Sequence, residues 1–143
     1  MYVLDTDVIF RSSPSSAGIA PEIAAWLRGV GDLCYLSTIT FAEIAFGVTK
    51  LAVAGSDRKA ETLARWLDGI AEAFTHRIVL VDVAAARRTG DLIARAKAVG
   101  HAAKFEDACI AATADVHGFT VVTFNVKHFA PLGIRHQLPG LMR

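Results

Sequence analysis

The sequence predicts a three-layer α/β/α domain built on a mostly parallel central sheet. Its short apolar runs, Tyr2-Val-Leu4, Leu33-Cys-Tyr-Leu36, Ile78-Val-Leu-Val81 and Phe119-Thr-Val-Val-Thr123, are continuous rather than alternating, as strands buried on both faces require. Between them lie long Ala-rich segments with helical periodicity, the alternation that builds parallel sheets. At 143 residues the chain has the size of one domain, expected to span 1–143. No internal repeat or linker divides it. The loosest stretch, Arg11 to Gly18, is too short to separate two folding units.

Tyr2-Val-Leu4 reads as a strand ending on Asp5. A helix starts at Pro21, where proline suits the first helical position, and carries Ile23, Trp26, Leu27 and Val30 on one face. After the second strand, Thr40 to about Val53 reads as a helix with Phe41, Ile44, Ala45, Val48 and Leu51 on its apolar side. Asp57 is a candidate cap for the next helix, whose stripe is Leu63, Trp66, Leu67, Ile70 and Phe74. The third strand ends on Asp82, and a helix runs from about Val83 to Val99 before Gly100. Phe105 to about His117 forms a further helix before Gly118, and Asn125 lies just beyond the last strand.

Composition excludes several classes. With 53% hydrophobic and 20% charged residues and a mean hydropathy of +0.40, the chain can bury a core and is too apolar for disorder. No run approaches the ~18 apolar residues of a membrane span. The opening Met1-Tyr-Val-Leu-Asp5 lacks the basic and apolar regions of a signal peptide, so a cytoplasmic protein is expected. Cys34 and Cys109, in unlike contexts, are expected to be reduced core residues. A net charge of +1 is too small for nucleic-acid binding by bulk electrostatics; a polyanion would need a local patch or a metal ion.

Ligands of such sheets sit beyond the carboxyl ends of the strands, which gathers Asp5, Asp7, Asp82 and Asn125 at one edge. Asp5, Glu43 and Asp107 stand out as acids in apolar surroundings, the last two near helix starts. Converging carboxylates repel one another unless a cation joins them. Mg²⁺ or Mn²⁺ prefers oxygen ligands and can serve phosphodiester hydrolysis. Each acid also has a plainer reading. Glu43 completes a Thr40-x-x-Glu43 capping box, Asp107 suits the positive end of a helix, and Asp5, Asp7 and Asp82 suit helix caps. Asp7 reads as a cap or surface residue rather than a ligand.

Order and context separate these readings. Val3-Leu-Asp5-Thr-Asp7-Val-Ile9, Ser37-Thr-Ile-Thr-Phe-Ala-Glu43-Ile-Ala-Phe-Gly47, Asp107-Ala-Cys-Ile-Ala-Ala-Thr-Ala114 and Val121-Val-Thr-Phe-Asn125-Val-Lys-His-Phe129 resemble, in that order, the four motifs of the PIN domain. Within it they resemble the VapC/FitB-like toxins of toxin–antitoxin systems. The resemblance covers essentially the whole chain. It implies a Mg²⁺- or Mn²⁺-dependent endoribonuclease with Asp5 and Asp107 as metal ligands. Glu43 would orient or deprotonate the attacking water, and Asn125, with Thr6 or Thr123, would hold the cluster and the scissile phosphate. It also implies a homodimer and a small antitoxin that forms a hetero-oligomer and inserts its tail into the acidic groove. Arg11, Lys104 and Lys127 flank the motifs and are candidate phosphate contacts; Asp57–Phe74, with Trp66, is the candidate partner surface.

Three departures from the family pattern stand out: Asp7 replaces the usual Asn, Phe124 the frequent Arg, and His128 the acid before the final Phe. Asn125 occupies a position that is a fourth Asp in some relatives, so three acids rather than four are expected, with weaker occupancy of a second metal. His128 reads as a solvated loop residue or a phosphate contact. Two other readings stay open: a PIN-fold regulatory or nucleic-acid-binding partner with weak or no nuclease activity, and a phosphoacceptor domain of the receiver type using Asp5, Asp7 and Asp82. The histidines show no zinc spacing, and no phosphate-loop motif is present.

Overall fold

The computed structural model describes residues 1–141. Five strands, β1 (Tyr2–Leu4), β2 (Cys34–Ser37), β3 (Ile78–Val79), β4 (Thr120–Val122) and β5 (His136–Gln137), form one sheet in the order β3-β2-β1-β4-β5. Every neighbouring pair is parallel. The described residues also form seven α-helices, α1 (Thr6–Phe10), α2 (Pro21–Val30), α3 (Thr38–Val53), α4 (Asp57–Ala73), α5 (Val83–Ala98), α6 (Phe105–Val116) and α7 (Val126–Phe129). None of the described helices is long and apolar enough to cross a membrane.

Alternation along each strand assigns the two faces. Val3 and Val121 pack with α5, α6 and Phe129 on one side, while Leu4, Leu36 and Val122 pack with α1 to α4 on the other. The three-layer architecture expected from the sequence is therefore present. α6 is buried nearly all round through Ala108, Ile110, Ala111, Ala112 and Ala114, as its unbroken apolar composition requires. Its small side chains let it lie close under the sheet. Cys34 and Cys109 are free and buried, and burial pushes the Cys34 thiol up to about 11.

The strands are shorter than their apolar runs. β3 ends at Val79 because Val81 N–H turns to Thr38 Oγ1 (3.4 Å), leaving Leu80 exposed. Leu33 belongs to a 3₁₀ turn over Gly31–Leu33. α3 begins two residues earlier than its periodicity suggests, capped by Ser37, whose hydroxyl accepts from Ile39 N–H (3.2 Å). Thr40 is thus inside the helix, and the capping-box reading of Glu43 falls. Asp57 is the first helical residue of α4 rather than its cap. β5 carries almost no apolar signal and α7 spans only four residues, and the sequence did not announce them.

From β1 the chain builds β2 and β3 to one side, then crosses to build β4 and β5 on the other. The direction reverses at the β1–β4 crevice, where Asp5 N–H donates to Val122 carbonyl (2.9 Å). Such switch points are where open parallel sheets bind ligands.

Candidate active site

Four short structural devices aim acids into this crevice. Asp5 ends β1 and caps α1, accepting from Thr6 N–H (2.8 Å) through Oδ1 and from the Thr123 hydroxyl (2.7 Å) through Oδ2. It is only 5% exposed. Asp7, in the first turn of α1, accepts from Phe124 N–H (3.2 Å) and Asn125 Nδ2 (2.8 Å). Glu43, one and a half turns into α3, accepts from the Thr6 hydroxyl. Asp107, in the first turn of α6, lies 3.1 Å from His128 Nδ1. These four carboxylates line a single open cleft of about 350 Å³, whose walls Thr6, Lys104, Asn125 and His128 help to complete.

The electrostatics follow from crowding in a poorly hydrated place. Burial pushes Asp5 up, and the charge of Asp107 adds to it against the hydrogen bonds from Thr123 and Thr6. Burial, then the neighbouring Asp5 charge, pushes Asp7 up to about 7. Glu43 is raised by burial and by Asp5 and Asp107, against the hydrogen bond from Thr6. Asp107 is raised by burial, while His128 and Lys104 oppose the change. A cluster that resists ionisation when alone gains most from a cation.

Its donor set is all oxygen and suits a hard divalent ion. Among the described residues, no three His, Cys, Asp or Glu side chains are close enough to cage an ion outright. An open arrangement of this kind suits Mg²⁺, which keeps several waters and takes one or two carboxylates together with substrate phosphate.

Asp5, Glu43, Asp107 and Asn125 are thus brought together, as are Thr6 and Lys104. The Thr6 and Thr123 hydroxyls already donate to carboxylates, so they orient the acids. Lys127 opens onto an adjoining recess. Arg11 stacks over the Phe124 ring at 4.1 Å, and its charge reaches Asp7. Asp82 stays out of the cleft, capping α5 by accepting from Ala85 N–H (2.8 Å). Asp82→Ala is expected to cost about 1 kcal/mol in thermal unfolding and to leave the carboxylate cleft unchanged.

Two residues are closer to the cleft than their sequence context suggested. Asp7 is a cleft carboxylate, not a surface residue; its separation from Asp5 by one residue, with the apolar pair Val8 and Ile9 following, was the available signal. His128 is not merely solvated but pairs with Asp107, one helical turn beyond Asn125 on α7.

An α/β/α domain with a carboxylate cleft at its switch point is the class that fold and site define. The PIN domain model matches residues 2–131, and the chain belongs to that family. It is 34% identical over 139 residues to the VapC ribonuclease Y4jK of Sinorhizobium fredii, covering 94% of each chain. It is 34% identical over 131 residues to toxin FitB of Neisseria gonorrhoeae, covering 90% of this chain and 91% of that one. The crystal structure of FitAcB from Neisseria gonorrhoeae matches with a TM-score of 0.84 and 30% identity, over 99% of this chain and 100% of that one.

Proposed function

We propose that this protein is the toxin of a toxin–antitoxin pair, an endoribonuclease that hydrolyses RNA phosphodiester bonds with Mg²⁺ or Mn²⁺. The observation that carries this reading is the convergence of Asp5, Glu43 and Asp107, from three distant segments, with Asp7 in one cleft. The ribonuclease and toxin relatives support it. Asp5 and Asp107 would hold the ion, which when bound supplies an activated nucleophile and stabilises charge developing on the phosphate.

The chain's own groups divide the remaining work. Glu43 Oε2 accepts from Thr6, and burial raises its proton affinity, the direction a general base needs. Thr123 fixes Asp5, and Asn125 fixes Asp7 through its amide nitrogen. Lys104, Lys127 and Arg11 are cations for the RNA backbone. The reading of an inactive regulatory partner rested on a missing fourth acid at Asn125; Asp7 adds a fourth carboxylate to the cleft from a different position, and the cleavage test below decides between the two readings. The receiver reading needs Asp82 in the site, and Asp82 is a helix cap.

The same acidity would admit a basic side chain of the antitoxin, whose charge-assisted bonds to the carboxylates would exclude the metal. Trp66 is half-buried, one edge packed against Phe10 (centroids 6.1 Å apart). Exposed apolar surface lies instead at Phe46 and Phe105, 69% and 63% exposed, beside Ile39 and Ala42. We assign the homodimer contact there. Phe46→Glu is expected to convert a dimer to a monomer in light scattering, with unfolding temperature little changed.

The proposal places the enzyme in the cytoplasm, with its RNA. Its test is cleavage of a mixed tRNA, rRNA and mRNA pool by purified protein with Mg²⁺, with Mn²⁺ and with EDTA. Cutting that persists in EDTA would remove the metal from the mechanism.

A further inference from the structure

Beside the carboxylate cleft lies a smaller recess of about 130 Å³. It has room for a phosphate group together with bound water. Its wall comes from two segments, the loop before α6 with the first turn of that helix, and α7 with the 3₁₀ turn that follows it. They bring His101, Lys104, Lys127 and His128 around one space, with neutral walls at Ala102, Ala103 and Pro131. Asp107 is the one carboxylate of the lining, and its Oδ2 faces His128 Nδ1 at 3.1 Å. α6 begins here with no side chain capping its first-turn amides, which adds donors and a positive helix end. In a chain whose net charge is +1, this is a local concentration of cationic and donor groups.

Lys104, Asp107 and His128 line both the recess and the cleft, so the two spaces adjoin. We propose that the recess holds the RNA phosphate next to the one being hydrolysed. This rests on the ribonuclease reading. It sets the path of the strand across the site, toward α7, and gives His101 a role. A phosphate held there is bound alike in ground and transition states, so the recess governs substrate affinity rather than the chemical step.

The test uses Lys127→Gln and His101→Gln, both exposed positions, with Lys59→Gln on α4 as a control. Each recess variant is expected to raise KM roughly five- to tenfold with kcat within twofold. Lys127→Gln should also flatten the dependence of log(kcat/KM) on log salt by about 0.7. The control should match the unaltered protein. Substrates with single neutral methylphosphonate linkages then locate the contact. Neutralising the linkage adjacent to the cut should weaken the native protein and leave Lys127→Gln unaffected.

A loss confined to kcat, an unchanged KM, or an effect mapping to a distant linkage overturns the assignment. If the native protein cuts no RNA, the ribonuclease reading fails by itself. The recess is then judged by fluorescence anisotropy of a labelled single-stranded RNA in EDTA. A salt slope flattened in Lys127→Gln supports a phosphate site, and equal slopes dismiss it.

Discussion

Asp5→Asn is expected to reduce Mg²⁺- or Mn²⁺-dependent RNA cleavage at least ~100-fold while leaving the fold intact. The substitution keeps the shape of the side chain and an oxygen for Thr6 N–H, the bond that caps α1. The Thr123 hydroxyl, which donates to Asp5 Oδ2, can rotate to accept from the new amide. What disappears is a charge at the junction of β1, α1 and β4, where the proposed ion would be held. Removing that charge also relieves repulsion with Asp107 and Asp7, so the metal-free variant should unfold at or above the native temperature. Cleavage of the mixed RNA pool and thermal unfolding in EDTA together read both effects. Equal cutting by the two proteins would mean that the activity comes from elsewhere, and a collapsed unfolding temperature would make the residue structural.

Much of this arrangement was legible in the sequence because burial on both faces leaves a period that needs no partner to be read. The runs at Tyr2–Leu4 and Thr120–Val122 and the Ala-rich α6 are of this kind. The acids were legible through their apolar surroundings. What escaped was decided by tertiary contact. Glu43 matched a capping box in spacing, yet Ser37 captured the cap and turned Glu43 toward Thr6. Asp7 looked like any first-turn acid until Phe124 and Asn125 came back from 117 and 118 residues away. β5, with only His136 and Gln137, is a strand because β4 offers an open edge, not because its residues prefer one.

The metal-free protein is expected to lose stability as pH rises through the neutral range, with Asp7 as the main cause. Its folded-state pKa, about 7, stands above the ordinary 3.8 because burial and Asp5 oppose its charge. A carboxyl raised in this way binds its proton more tightly folded than unfolded. Its contribution is therefore complete below about pH 4 and declines as pH climbs toward 7, with little further change above it. Between about pH 5 and 8 the loss should amount to about 2 kcal/mol after allowance for solvent screening, or roughly 6 °C in unfolding temperature. Asp5 and Glu43 are raised as well and push the same way. Asp7→Asn isolates the effect: unfolding scans in EDTA should show a distinctly shallower pH dependence for this variant than for the native chain. Parallel curves would assign the slope to other groups. Mg²⁺ should flatten the native curve, because a cation favours the ionised carboxylates that acid would otherwise protonate. Stability and catalysis thus draw on one arrangement, in which the repulsion that weakens the empty cleft is what favours the ion.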